Sequence, residues 1–194
     1  AYRRMRRSEP SVDTGVHLSN GVSETTIGFL LNSHPEFFKG AFKTEQFIYE
    51  ATLDWQEHSG AICKSSIRPD FFIKRNDGYF DILDLKLAKI DRKSLTKGKD
   101  LRERFVDYVY EGISQLVNYK AYFNFEKNAA YAWKKFGIKI NNPRLILVVG
   151  NDENLPVEEA EKALMLHPNI TIVDYDTLVS LFHQSSKKAT EHKT

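Results

Sequence analysis

Residues 68–89 read RPDFFIKRNDGYFDILDLKLAK, and the fold turns on this stretch. Two apolar runs flank Arg75-Asn76-Asp77-Gly78. Asp-Gly between such runs is a strong hairpin signal, because Gly supplies the positive φ of a tight turn. Side chains alternate along a strand, so Leu83, Leu85 and Leu87 share one face while Ile82, Asp84 and Lys86 share the other. The leucines have a core to enter. Asp84 and Lys86 stand side by side on the opposite face, and Asp70 can meet Asp84 across the hairpin.

Burying an unpaired charge is costly, so two accounts compete. In the first, the hairpin has one solvated face and Asp84–Lys86 is a surface ion pair, worth little; Lys86 then adds little to stability. In the second, the carboxylates hold a metal. Asp oxygens suit a hard cation such as Mg²⁺, with Mn²⁺ as a substitute, which keeps most of its waters. Such a cation acidifies water and stabilises charge on a phosphoryl oxygen, and Lys86 can orient or deprotonate that water. Asp70 and Asp84 repel each other when no cation intervenes, so Asn at either position is expected to leave metal-free stability unchanged or raise it.

Outward from the hairpin, Ser23-Glu24-Thr25-Thr26 caps a short helix that stops near Asn32 to Pro35. A helix or strand covers Lys43 to Trp55. Lys89 to Lys99 reads as a basic loop. Phe105, Val109, Ile113, Leu116, Val117 and Tyr119 have helical spacing, which predicts a long helix within 101–125 with Gly112 as a tolerated weak point. After Pro143 come a buried strand (144–149), a helix (157–166), a strand (170–175) and a final helix (176–182). The order predicts an α/β fold, a mixed central sheet flanked by helices.

The 194 residues, 41% hydrophobic, suffice for one domain with a sizeable core. The expected division is a basic N-terminal segment (1–20), the domain proper (21–184) and a loose tail (185–194). The formal net charge is only +2, but residues 86–104 hold eight Lys or Arg against three acids. That excess suits a phosphate backbone, with Lys89, Lys93, Lys97 and Lys99 as the contacts, although a solvated loop is the commoner explanation for such a run. Cys63 is the only cysteine, which fits a reducing cytoplasm. No apolar run approaches a membrane span. The histidines lack ligand spacing. The chain begins at Ala1 without Met, so processing, or a longer protein with a regulatory segment, is expected.

Arg68-Pro69-Asp70 followed by Asp84-Leu85-Lys86 resembles the PD-(D/E)XK nuclease signature. Gln115 and Tyr119 resemble the Q-x-x-x-Y motif of RecB-like members. "SETTIGFLLNSHPEFF", "RPDFFI", "LDLKLAK", "GISQLVNYKAYF", "RLILVVG" and "NITIVDYDTLVSLF" stand in the order seen in Shedu-type anti-phage defence nucleases. The resemblance implies a restriction-endonuclease-like core and an Mg²⁺-dependent DNA endonuclease acting on phage or other foreign DNA. It implies Asp70 and Asp84 as metal ligands, Lys86 as catalytic lysine, Gln115 beside the site and Tyr119 one turn on, against nucleic acid. Glu24 matches the first-helix acid that completes the metal site, with Glu36, Glu45 and Glu50 as competitors. Many relatives have Glu where this chain has Asp84. A homo-oligomer is expected. The alternatives are a non-enzymatic nucleic-acid-binding or assembly module on the same fold, and a restriction or junction-type nuclease.

Overall fold

The computed structural model describes residues 23–44, 46–57, 65–87, 94–98, 102–155, 157–165 and 167–191. The architecture is mixed α/β, with a five-stranded mixed sheet between two helical layers. Its strands are β1 (Phe47–Tyr49), β4 (Phe71–Lys74), β5 (Phe80–Leu85), β8 (Leu145–Val148) and β9 (Ile170–Val173), neighbours in that order. β1, β4 and β5 pair antiparallel; β8 and β9 join β5 in parallel. Two small ribbons stand apart: β2 (Leu53–Asp54) with β3 (Ser66–Ile67), and β6 (Thr96–Lys97) with β7 (Arg104–Phe105).

The hairpin forms where the sequence puts it. Gly78 has φ +84° and open space around it, and Arg75 N donates to Tyr79 O at 2.8 Å to close the loop. All six β5 residues are buried, because both faces are covered, as expected of a central strand with parallel neighbours. Leu83 and Leu85 pack in one core with α1 (Glu24–Ser33), α2 (Glu36–Phe42) and α6 (Tyr175–Glu191). Ile82 packs in a second core with α3 (Asp107–Tyr122), α4 (Glu126–Phe136) and α5 (Val157–Leu164). The Asp84 face is therefore no solvated surface.

Several elements depart from the sequence reading. Ser23 Oγ caps α1 as expected, accepting from Thr26 N at 3.2 Å, but the chain resumes helix at once after Pro35, which ends α1 and begins α2. Within 43–55, where the sequence left helix and strand open, the described residues form the strands β1 and β2. The long helix begins at Asp107 because Arg104 and Phe105 are drawn into the β6–β7 pair. α4 lies in a stretch the apolar pattern leaves blank. Its two buried positions are Asn128 and Ala132, both 0% exposed; the Asn128 amide accepts from Gln56 N and Glu57 N and donates to Glu57 O and Tyr122 O. A hydrophobic scan meets a polar residue at one of the two places where this helix is most deeply seated. α6 runs through Glu191, beyond the end at Phe182 that the apolar pattern sets. No described helix is long and apolar enough to cross a membrane.

Candidate active site

Asp70 precedes β4 and Asp84 lies near the end of β5. Phe71 pairs with Leu83, so extending the register by one residue sets the two aspartates opposite each other. Asp70 Oδ2 accepts from Leu85 N at 2.6 Å. Asp84 is 2% exposed and its Oδ2 lies 2.5 Å from Lys86 Nζ. The lysine side chain is only 12% exposed, which rules out the surface ion pair. Its three ammonium donors face three acceptors: Asp84 Oδ2, Gln115 Oε1 at 3.1 Å and Leu85 O at 3.3 Å.

α3 supplies the opposite wall. Gln115 accepts from Lys86, so its amide nitrogen points away, to the Tyr119 hydroxyl one turn on; Tyr119 donates to Arg68 O at 3.3 Å. The chain Lys86, Gln115, Tyr119, Arg68 fixes each group's orientation, and Arg68 leads directly into Asp70. Tyr119 is 5% exposed, so this geometry makes it the holder of Gln115. Gly112, read as a weak point, is a close approach. A Cβ there would lie 2.7 Å from Leu147 Cδ1 and 3.3 Å from Lys86 Cε. Gly112→Ala is expected to lower Tm, since overpacking costs about 1–3 kcal/mol against roughly 1 kcal/mol of helix preference gained. A thermal melt equal to or above wild type would refute the crowding.

β5 carries a second buried acid, and the comparison is informative. Asp81, 0% exposed, faces two arginines: Arg144 Nε at 2.6 Å and Arg75 Nη1 at 3.4 Å. It is a neutralised structural anchor. Asp84 has one lysine and lies opposite another carboxylate. Burial and then the Asp84 charge push Asp70 up from 3.8 to about 7. Burial also raises Asp84, with Lys86 opposing. Perturbed acids that face a like charge mark a candidate functional site.

Glu24, on the first turn of α1, raises both aspartates further. Its Oε1 accepts from the Tyr108 hydroxyl at 2.7 Å. Glu36 instead sits against His34 and Glu50 against Arg68; Glu45 lies outside the described residues. Among the described residues no group of three or more His, Cys, Asp or Glu is arranged to hold a metal, so the donor set is two aspartates with Glu24 held on Tyr108. Two buried carboxylates suit Mg²⁺, which takes most of its ligands from water, and a cation would relieve the repulsion that raises Asp70. The residues fit the group. Of the basic stretch, Lys97 is paired with Asp107 at 2.7 Å, and Lys89, Lys93 and Lys99 lie outside the described residues.

Sequence reasoning missed Tyr108 and Tyr175. Tyr108 also accepts from Leu87 N, and the Tyr175 hydroxyl donates to Lys86 O, both at 2.8 Å. Tyr175 falls within a stretch that carries the resemblance, but nothing in it singles the tyrosine out, and Tyr108 belongs to no motif; only helix placement reveals them.

The family model described as Shedu protein SduA, C-terminal, matches residues 21–179. Among curated proteins, none matches the chain.

Proposed function

The chain belongs to the Shedu protein SduA C-terminal family, a family of anti-phage defence, and on that premise we propose that it is an Mg²⁺-dependent DNA endonuclease on a restriction-endonuclease-like core. The observation that carries the reading is the meeting of Asp70, Asp84, Lys86 and Gln115 at one end of the central strand, with two acids facing each other and a lysine bridging Asp84 to Gln115. Asp70 and Asp84 would hold the cation, with Glu24 supporting them from α1. When bound, Mg²⁺ supplies charge stabilisation for phosphoryl oxygens and acidifies nearby water.

The chain's own residues do the rest. Lys86 directs one ammonium proton to Asp84 and one to Gln115, and as a donor beside the aspartates it orients the attacking water and stabilises developing charge on a phosphoryl oxygen. Because all three donors are engaged at rest, Lys86 gives up one contact when water and phosphate enter. Gln115 limits where the released Nζ can go, and Tyr119 keeps the Gln115 oxygen turned toward it. Incubating the chain with plasmid DNA, with and without Mg²⁺, tests the reading. Cutting only with the metal is expected; tight binding with no cutting favours the binding or assembly module.

DNA would be drawn to the basic stretch through counterion release, a sequence-independent effect. Reversing Lys93, Lys97 and Lys99 to Glu is expected to weaken binding and reduce the slope of log K against log salt by roughly 2–3. An unchanged slope would make the stretch a solvated loop.

A further inference from the structure

We propose that the peptide unit joining Lys86 to Leu87 is gripped by two tyrosine hydroxyls from opposite helical layers, which makes Tyr108 and Tyr175 positioning residues for Lys86. β5 ends at Leu85, and its last ladder pair is Leu85 with Val148. The next peptide lies past regular pairing, and its polar groups need partners from elsewhere. Tyr108 of α3 accepts from its N–H and Tyr175 of α6 donates to its C=O, each at 2.8 Å. α3 covers one face of the sheet and α6 the other, so the unit is held from both sides.

The consequence falls on the lysine. Lys86 N donates to Val148 O at 2.8 Å, so the sheet fixes the peptide before Lys86 Cα and the tyrosines fix the one after it. With both planes set, the direction in which the side chain leaves the backbone is set too. That direction carries the stem past Gly112 and brings Nζ to Asp84 and Gln115. Tyr108 has one proton to give and gives it to Glu24, so the same hydroxyl joins the first-helix acid to the backbone beside the lysine. Leu87 is 39% exposed, so water can replace the Tyr108 oxygen at its N–H. Loss of that hydroxyl then frees the peptide more than it unfolds the chain.

The catalytic half of this inference rests on the nuclease reading; the geometric half does not. The test compares the full chain with Tyr108→Phe, Tyr175→Phe and, as a control, Tyr110→Phe. Three readouts are taken: hydrogen exchange at the Leu87 amide, the NMR signal of the Lys86 side-chain ammonium, and kcat and KM for Mg²⁺-dependent cleavage. In Tyr108→Phe the Leu87 amide is expected to exchange about 10-fold faster or more. In both variants the Lys86 ammonium signal shifts or broadens, and kcat falls about 10–100-fold while KM for DNA stays within about 2-fold. The control changes none of these. An unmoved Lys86 signal in folded Tyr108→Phe overturns the proposal, as does an unchanged kcat, whatever Leu87 does. If Tyr175→Phe does not fold, Tyr108→Phe decides alone. If the wild type cuts no DNA, the nuclease reading fails and the grip is judged on the Leu87 and Lys86 signals.

Discussion

Lys86→Ala is expected to slow Mg²⁺-dependent cleavage by about 10²–10³-fold, the usual worth of a positioned charge-stabilising donor, and to lower Tm as well. The stability loss follows from burial. Lys86 is the ion-pair partner of Asp84, and the two side chains are 12% and 3% exposed. Removing one member of a buried pair costs about 3–5 kcal/mol when the survivor must stay charged. Asp84 has an escape, because burial already raises its pKa and Lys86 opposes that rise. Without the lysine it can take up a proton, so the loss falls below that figure at low pH and grows as pH increases. Lys86→Met keeps the stem beside Gly112 and isolates the charge. Both variants should be slowed to that extent, with Met the more stable. Wild-type cutting by either removes Lys86 from the chemistry; a Tm equal to wild type at pH 8 removes the ion pair from the stability account.

How far the sequence reaches can be judged from particular residues. The hairpin was legible because Asp77-Gly78 and two apolar runs are local signals, and its register carried Asp70 to Asp84 without further information. Gln115 and Tyr119 were legible as one helix face, since four residues make one turn. The burial of Lys86 was not. Alternation gives two faces of a strand but not what covers them, and the covering helix is α3, more than twenty residues away in sequence. Asn128 hid α4 for a related reason: its amide is satisfied by Gln56 and Glu57, which no local pattern shows. Tyr108 and Tyr175 carry the same lesson into the site. Each looks like an ordinary core aromatic until the fold lays its hydroxyl on the peptide after Lys86.

Asp70 and Asp84, equivalent on sequence grounds, separate in the structure, and their Asn variants should move stability in opposite directions. Asp70 titrates near 7 in the folded chain and near 3.8 when unfolded. Between those values the folded chain binds the proton and the unfolded chain does not, so stability falls as pH rises from about 4 to about 7. At about 1.4 kcal/mol per pKa unit the cost at pH 8 is on the order of a few kcal/mol. Asp70→Asn removes it while its amide oxygen can still accept from Leu85 N, so the variant should melt above wild type at pH 8 and level with it near pH 4. Asp84→Asn leaves Lys86 buried against a neutral amide and should lose about 1–3 kcal/mol at pH 8. Both should lose Mg²⁺-dependent cutting. A cation that binds the folded wild type must displace the Asp70 proton, so added Mg²⁺ should raise wild-type Tm at pH 8, raise it little at pH 5, and fail to raise that of either variant. Melting curves across pH and calorimetric titration of Mn²⁺ read the two halves separately. Parallel pH profiles for wild type and Asp70→Asn would remove the Asp70 proton from the account, and equal Mn²⁺ binding by wild type and Asp84→Asn would remove Asp84 from the metal site.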